Sequence, residues 1–330
     1  MDRRSLFFRA AGLAAAVGGA WWARDHLLWP APRLAFGPHG ATPWLPYARQ
    51  ANVPTVRLTV AGREVTALID SGAQYSVIDR ALLVDLPGAG RSMFDMPMLA
   101  YGVGGGAQLG RGTRLDVRLP GLEIKALQAA VLDLGPLAAA DGLATPLILG
   151  QDVLEQLVLA LDPDRKFVRL IARPAFVRPP DLHDAPVRRA SGGLVTEVRV
   201  EGATVDGLID TGAGSFLGLS RDVAGVAGLL DGRPHETGVS LVLGGALRSQ
   251  IFQARTVTFA GQLSRGVAVG VFDQPPLPQF PGGLIGMAAF DGRRAALDLG
   301  AGTLHVSRTL DLTVGQSAVK VSQAAGSPVS

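Results

Sequence analysis

The sequence predicts an all-β chain of two homologous lobes, related by a pseudo-two-fold axis and separated by a cleft. The first observation is compositional: 43 of 330 residues are Gly and 22 are Pro, with short runs of Val, Leu and Ile between them. This pattern is typical of short strands joined by turns. The second observation is an internal repeat, in which residues 56–73 match residues 196–213 at a constant offset of 140.

The N-terminus predicts export from the cytoplasm. Residues 1–28 begin with a charged stretch and continue with small and apolar residues, which is typical of a signal peptide. Residues 3–7, Arg-Arg-Ser-Leu-Phe, resemble a twin-arginine export motif. Two interpretations stay open: cleavage near the small residues Gly18 and Ala20, or retention of residues 6–22 as a membrane anchor. Both place the lobes in the periplasm or at the outer side of the membrane.

Shifts in composition divide the rest of the chain. Residues 29–50 contain five Pro and predict an extended linker, with the alternative that this segment lies in the cleft and inhibits the protein. The remaining predicted units are an N-terminal lobe at 51–175, an inter-lobe linker at 176–189, a C-terminal lobe at 190–309 and a flexible tail at 310–330.

Charge and residue types exclude several classes of function. The formal net charge is +3, from 31 Lys and Arg against 28 Asp and Glu, without the basic cluster that nucleic-acid binding requires. Because the chain has no Cys, it has no disulfide, thiol nucleophile or thiolate metal site. The five His are scattered, and no Gly-x-Ser-x-Gly motif is present. We therefore expect no cofactor, no metal and no nucleic-acid partner.

Each copy of the repeat places an Asp directly after an apolar strand. Eight of 18 positions are identical, and each copy predicts a hairpin whose second strand ends at Asp70 or Asp210. A two-fold axis between the copies would bring these carboxyls together. Two carboxylates about 3 Å apart cannot both ionise, so they share one proton. Such a pair supplies an acid and a base at the same pH, which can activate water against an amide without a metal.

The residues that follow each Asp are predicted to support the pair. A hydroxyl next to each Asp can bond across the axis, and the Gly after it allows close approach of the backbone. The residues expected in these two turns are Ser71, Gly72, Ala73, Thr211, Gly212 and Ala213.

With these turns, residues 52–308 resemble the aspartic peptidases, and the Asp-Ser/Thr-Gly-Ala form is more similar to retropepsins than to pepsins. The resemblance implies two six-stranded-type acid-protease lobes and catalysis by Asp70 and Asp210. It also implies an apolar–Gly motif that crosses each Asp turn, formed by Ile148, Leu149 and Gly150 and by Leu284, Ile285 and Gly286. Gly-rich flaps over the substrate are implied at Tyr101, Gly102, Val103, Gly104 and Gly105 and at Leu243, Gly244 and Gly245.

The chain carries both halves of what is a homodimer in retropepsins. We therefore expect a monomer that acts as a fused dimer and cleaves extended polypeptide, which would bind by strand addition under the flaps. Tyr101, Val103, Leu243 and Leu247 are expected to shape apolar pockets. Two alternatives stay open: a peptide-binding module without catalysis, and an envelope protein that keeps its paired Asp for folding.

Three further expectations concern single positions. Pepsin-like enzymes commonly carry Ser or Thr where this chain has Ala73 and Ala213. Because Ala donates no side-chain hydrogen bond to a carboxylate, we expect higher pKa values and a milder working pH than pepsin's. Asp152 and Glu155 are expected to begin a short helix after the apolar–Gly motif. The matched pair Asp162 and Asp298 is expected at turns or strand ends.

Overall fold

The structure is a computed structural model that describes residues 29–87, 93–101, 107–190, 192–242, 245–273 and 280–308. The predicted leader and the predicted tail therefore lie outside the described residues. No helix within these described ranges combines the length and the apolar character that crossing a bilayer requires.

Strands dominate the described part of the chain. The first nine are β1 (Arg33–Phe36), β2 (Leu45–Pro46), β3 (Thr55–Val60), β4 (Arg63–Ile69), β5 (Val77–Asp79), β6 (Met93–Tyr101), β7 (Ala107–Leu119), β8 (Leu122–Leu132) and β9 (Leu147–Leu149). The next four are β10 (Leu157–Asp162), β11 (Phe167–Ala172), β12 (Leu182–Ala185) and β13 (Arg188–Ala190). The last nine are β14 (Gly193–Val200), β15 (Ala203–Ile209), β16 (Leu217–Ser220), β17 (His235–Val242), β18 (Gly245–Phe259), β19 (Gln262–Phe272), β20 (Gly283–Ile285), β21 (Ala295–Asp298) and β22 (Thr303–Ser307).

Helices in the described ranges are short. The α-helices are α1 (Arg80–Asp85), α2 (Gln151–Leu154) and α3 (Arg221–Val226), and single 3₁₀ turns occur at Gly135–Leu137, Arg173–Ala175 and Met287–Phe290. Helix α1 begins where the Asp79 side chain accepts hydrogen bonds from the backbone N–H groups of Ala81 and Leu82.

The strands form three sheets. The N-terminal lobe has the order β1-β8-β5-β9-β4-β3-β7-β6, and the C-terminal lobe has the order β13-β14-β15-β20-β16-β19-β18-β17. Each strand from β3 to β9 has a counterpart among the strands of the second lobe, and the neighbours of each strand match once the additional pairings β7–β8 and β14–β18 are included. The six-stranded sheet β12-β22-β21-β10-β11-β2 joins the lobes, since β10 pairs with β21. The prediction of an all-β chain with two homologous lobes is confirmed.

The hairpins that lead to the two Asp have matching turns. Ala61 and Gly62 join β3 to β4 with φ of 49° and 82°, and Glu201 and Gly202 join β14 to β15 with φ of 51° and 96°. Two successive residues with positive φ are the geometry of a type I′ loop, which suits the twist of a tight hairpin. The registers of the two hairpins are consequently equivalent, and both second strands end at an Asp.

The segments predicted as linkers contribute strands. Within residues 29–50, β1 pairs with β8 of the N-terminal lobe and β2 pairs with β11 of the joining sheet. Trp29 and Leu45 are buried, at 4% and 7% exposure. This segment is therefore engaged in sheet pairing instead of lying free in the cleft. Residues 176–189 likewise hold β12 and the start of β13. The prolines between short apolar stretches limit these strands to short pairings at sheet edges.

The matched residues Asp162 and Asp298 end β10 and β21, as predicted. Asp298 also forms an ion pair: its carboxylate accepts a hydrogen bond from Arg173 Nε at 2.8 Å, and the residue is 7% exposed. This ion pair links the 3₁₀ turn after β11 to the C-terminal lobe, so a strand-end residue also joins the two lobes.

Candidate active site

The two Asp residues are positioned by buried parallel strand pairs. β4 runs parallel to β9 with Ile69 opposite Leu149, and β15 runs parallel to β20 with Ile209 opposite Ile285. Directly after these pairs, the N–H of Asp70 donates to the Leu149 carbonyl at 3.0 Å, and the N–H of Asp210 donates to the Ile285 carbonyl at 2.9 Å. The apolar–Gly motifs thus hold the backbone of each Asp in place.

Hydrogen bonds between the lobes lock the two Asp turns together. The Ser71 N–H donates to Thr211 Oγ1 at 2.9 Å, and the Thr211 N–H donates to Ser71 Oγ at 3.0 Å. Each hydroxyl then donates to the opposite strand end, Ser71 Oγ to the Ile209 carbonyl at 3.0 Å and Thr211 Oγ1 to the Ile69 carbonyl at 2.8 Å. Both side chains are buried, at 0% and 1% exposure. We call these four bonds the cross-lobe grip.

The carboxyls of Asp70 and Asp210 lie side by side against each other's turn. A Cβ added to Gly72 would lie 2.7 Å from Asp210 Cγ, and one added to Gly212 would lie 2.6 Å from Asp70 Cγ. Only Gly leaves room at these positions for the opposite carboxyl. The glycines that the sequence analysis assigned to close backbone approach are therefore the residues that allow the carboxyls to meet.

The surroundings of the two carboxyls raise both pKa values. Backbone N–H groups of Gly72 and Ala73 donate to Asp70 Oδ1 at 2.8 and 3.2 Å, and the Gly212 N–H donates to Asp210 Oδ1 at 2.8 Å. Burial outweighs these bonds and raises the pKa of Asp70. Burial, with the adjacent charge of Asp70, raises the pKa of Asp210 well above its usual value. The pair therefore retains one proton, which the two carboxyls share.

The apolar–Gly motifs also contact the far ends of the Asp turns. The Gln151 N–H donates to the Ala73 carbonyl at 2.9 Å, and the Met287 N–H donates to the Ala213 carbonyl at 2.7 Å. A Cβ on Gly150 would lie 2.7 Å from the Ala73 carbonyl oxygen, so this crossing requires Gly. Leu149, Gly150, Ile285 and Gly286 are thus brought to the turns that carry Asp70 and Asp210.

The N-terminal turn has a polar support that the sequence analysis missed. Ser76 donates to Asp152 Oδ1 from its N–H at 3.1 Å and from its hydroxyl at 2.8 Å, and its Oγ accepts from the Gly150 N–H at 3.1 Å. Burial raises the pKa of Asp152 to about 6. The counterparts of Ser76 and Asp152 in the second copy are Phe216 and Ala288. The repeat therefore gave no signal for them.

Of the two expectations about α2, the one for Asp152 is confirmed and the one for Glu155 is corrected. Asp152 lies in the first turn of α2, but its carboxyl is buried against Ser76. Glu155 lies at the C-terminal end of this helix instead of beginning it, and its carboxylate binds Arg189. Gln151 is a further missed residue: its Nε2 donates to the Ser71 carbonyl at 2.8 Å and the Gly192 carbonyl at 2.6 Å.

The strands on either side of the predicted flaps pair as two long hairpins. Tyr101 ends β6 opposite Ala107 of β7, and Val242 ends β17 opposite Gly245 of β18. The other flap residues of the prediction fall outside the described residues: Gly102, Val103, Gly104, Gly105, Leu243 and Gly244. The hairpins thus lead to the predicted flaps, while their contacts with a substrate stay predictions.

No group of three or more His, Asp or Glu side chains in the described ranges has the arrangement of a metal site. At the paired turns, the described residues offer two carboxyl groups and the backbone N–H groups around them.

Comparison with known proteins places this chain among two-lobe proteins. A family model described as aspartyl protease matches residues 56–153 and again residues 196–289, one match in each lobe. No curated protein sequence gives a significant match. Among solved structures, basic 7S globulin from soybean is similar with a TM-score of 0.50 and 12% identity, over 86% of this chain and 97% of that chain. Conglutin gamma, a basic 7S globulin from lupine seeds, gives 0.49 and 12%, over 84% and 95%. At this identity the likeness shows the fold alone.

Proposed function

The chain belongs to the aspartyl protease family, and we propose that it is an aspartic endopeptidase that uses Asp70 and Asp210. The observation that carries the proposal is that each of the two carboxyls packs against the glycine of the opposite turn. Their shared proton provides an acid and a base in one place, and the cross-lobe grip holds the two groups in register.

We propose a mechanism in which Asp210 carries the shared proton when the substrate binds. Asp70, whose carboxylate accepts from two backbone N–H groups, is the base that removes a proton from a water held between the carboxyls. That water attacks the carbonyl carbon of the peptide bond, while Asp210 donates its proton to the carbonyl oxygen. As the C–N bond breaks, Asp70 passes its proton to the leaving amine, and one hydroxyl of the tetrahedral intermediate returns its proton to Asp210 as the new C=O bond forms, which restores the shared-proton state.

We further propose that the substrate is an extended polypeptide and that one chain is sufficient for activity. Support comes from the two lobes, since each contributes one Asp and one hairpin of the kind predicted to carry a flap. β6 and β17 lie last in the strand order of their sheets, which suits binding of a substrate by strand addition. Export, with or without cleavage of the leader, is part of the proposal and rests on residues 1–28 alone.

Peptide binding without cleavage is the second candidate. The fold alone does not decide between the two, because a soybean protein named as a globulin shares it. The same carboxyl pair could hold a peptide backbone by hydrogen bonds without reaching the geometry for water attack.

Cleavage of a peptide library, read by mass spectrometry, separates these candidates. The full chain is compared with Asp70→Asn, Asp210→Asn and Asp141→Asn from about pH 3 to about pH 7. Asp141 is exposed and lies in a turn outside the paired turns, so it is the matched control. If the chain is a peptidase, the parent and Asp141→Asn will cut peptides. Asp70→Asn and Asp210→Asn will not cut them, although both variants still fold. Peptides that bind equally to all four folded proteins without being cut would overturn the peptidase proposal.

The pH profile tests the role of Ala73 and Ala213. Both carboxyls have raised pKa values, and neither turn supplies a hydroxyl at the Ala position to stabilise the charged form. We expect the rate optimum to lie above about 3, in milder acid than the lower pepsin pKa would allow. An optimum below that value would contradict this explanation.

A further inference from the structure

The two lobes differ at one sheet edge. In the N-terminal lobe, β1 pairs with the first part of β8, from Arg33 opposite Lys125 to Phe36 opposite Leu122. In the C-terminal lobe, the corresponding strand is β19, at the offset of 140. β19 pairs with β18 on one side, and with β16 on the other side only from Val269 onward. Among the strands that the structure describes, none covers residues 263–268 on the side away from β18.

A cavity of about 550 Å³ opens beside this uncovered edge. It reaches Ser215 and Phe216, which directly follow the Asp210 turn, and its lining is largely apolar, with Phe216, Phe259, Val267, Phe272 and Ala288 among its residues. Ser264 of the uncovered edge also lines it. We call the cavity and the edge at residues 263–268 the C-lobe groove.

The equivalent place in the N-terminal lobe is filled. Tyr75 and Asp152 are the counterparts there of Ser215 and Ala288. Trp29, which precedes β1, packs on the Tyr75 ring at a centroid distance of 5.1 Å and lies close enough to Asp152 to favour its charged form. An extended segment with apolar side chains therefore completes the N-terminal lobe at the position of the groove in the C-terminal lobe.

The described chain ends at the mouth of the C-lobe groove. β22 ends at Ser307, whose carbonyl accepts from Arg293 Nε at 2.9 Å. Arg308 then lines a second opening with Leu263, and this opening shares Gln262 and Arg293 with the cavity. The sequence that continues from Arg308 is Thr-Leu-Asp-Leu-Thr-Val, in which polar and apolar residues alternate as in a half-buried strand.

We propose that residues 309–314 bind the C-lobe groove as an added strand. Side chains two residues apart share one face of a strand, so Leu310, Leu312 and Val314 would all point into the cavity. Six extended residues span about 20 Å, which is the length of the edge at residues 263–268. Since the segment enters at Leu263, it would run parallel to β19, opposite to the direction of β1 along β8.

This segment would support the second Asp turn from behind. It would cover the cavity at Ser215 and Phe216, in the region equivalent to the one where Trp29 packs on Tyr75 in the other lobe. The proposal does not depend on peptide cleavage, because it concerns binding between two parts of one chain. It also assigns a place to the first residues of a tail that the sequence analysis treats as flexible.

Crosslinking tests the proposal in the full chain. Because the chain contains no Cys, an engineered pair is unambiguous. Ser264→Cys is combined in turn with Leu310→Cys, Leu312→Cys or Val314→Cys, and the matched control combines it with Val329→Cys. We expect an intrachain disulfide in at least one of the first three and none in the control. Equal crosslinking of the control, absence of any crosslink, or disulfides between two chains would each overturn the proposal.

Hydrogen exchange of the full chain provides a measurement without crosslinks. Among residues 263–268, we expect the amides that point away from β18 to be protected in the parent and to exchange at least about tenfold faster in Leu312→Asp, but not in Val329→Asp. Neither variant changes a residue of the described lobes, and an unchanged circular dichroism spectrum checks that they fold. Unprotected amides in the parent, or protection that does not respond to Leu312→Asp, would overturn the proposal, the latter in favour of another occupant.

Discussion

Thr211→Val removes half of the cross-lobe grip while it keeps the shape of the side chain. Thr211 Oγ1 accepts from the Ser71 N–H at 2.9 Å and donates to the Ile69 carbonyl at 2.8 Å, and the residue is 1% exposed. Valine fills the same space but offers neither an acceptor nor a donor. The Ser71 N–H then stays buried without its acceptor, and the two Asp turns lose two of their four connections.

The size of the effect follows from these two bonds. An unsatisfied buried donor costs about 1–3 kcal/mol, and a lost hydrogen bond to a carbonyl costs about 0.5–1.5 kcal/mol. We therefore expect the free energy of unfolding to fall by about 2–4 kcal/mol. For a protein of this size the midpoint of thermal unfolding would fall by roughly 3–6 °C. Peptidase activity should fall by more than the lower stability alone would cause, because the bonds set the relative position of Asp70 and Asp210.

Thr145→Val is the matched control for this measurement. Thr145 is also fully buried, but its hydroxyl makes one bond, to the Leu137 carbonyl at 3.1 Å, inside the N-terminal lobe. Calorimetry should show a cost of about 1 kcal/mol for this variant, with peptide cleavage retained. The cost of Ser71→Ala combined with Thr211→Val should differ from the sum of the two single costs, because the two residues belong to one hydrogen-bond network. Equal losses for Thr211→Val and Thr145→Val would refute the account of the grip.

Two further predictions concern single residues near the pair. Gly72→Ala should abolish cleavage, since its Cβ would lie 2.7 Å from Asp210 Cγ, whereas Gly214→Ala, whose nearest neighbours are 3.8 Å away, should keep it; equal activities would contradict this. Asp152→Asn should flatten stability against pH. The pKa of Asp152 rises from 3.8 unfolded to about 6 folded, so its stabilising contribution is complete below about 4 and about 3 kcal/mol smaller above about 6. If the free energy of unfolding falls by the same amount in parent and variant across this pH range, the prediction for Asp152 is wrong.

Local pattern and the repeat were sufficient to predict the lobes and the pairing of Asp70 with Asp210. Alternating apolar residues determine which face of a strand is buried, and duplication of the hairpin places each Asp at an equivalent strand end. Ser71, Thr211, Gly72 and Gly212 could be assigned for the same reason, since their roles depend on the two copies meeting.

Residues that differ between the copies could not be assigned in this way. Asp152 and Ser76 are far apart in sequence, and the second copy has Ala288 and Phe216 in their places, so neither periodicity nor repetition connects them. The contact of Gln151 with the Gly192 carbonyl depends on the distance between the lobes, which no local pattern encodes.

The sequence by itself determined the fold class, the duplication and the two acidic turns, because these depend on short-range alternation and on a repeat that symmetry brings together. Only the tertiary structure decided how the segments around the lobes are used. Residues 29–50 have the composition of a linker, yet β1 and Trp29 complete the N-terminal lobe because β8 offers an edge there. Which edge an extended segment covers is a matter of long-range packing and unpaired backbone groups, and neither is visible in the residues of the segment itself.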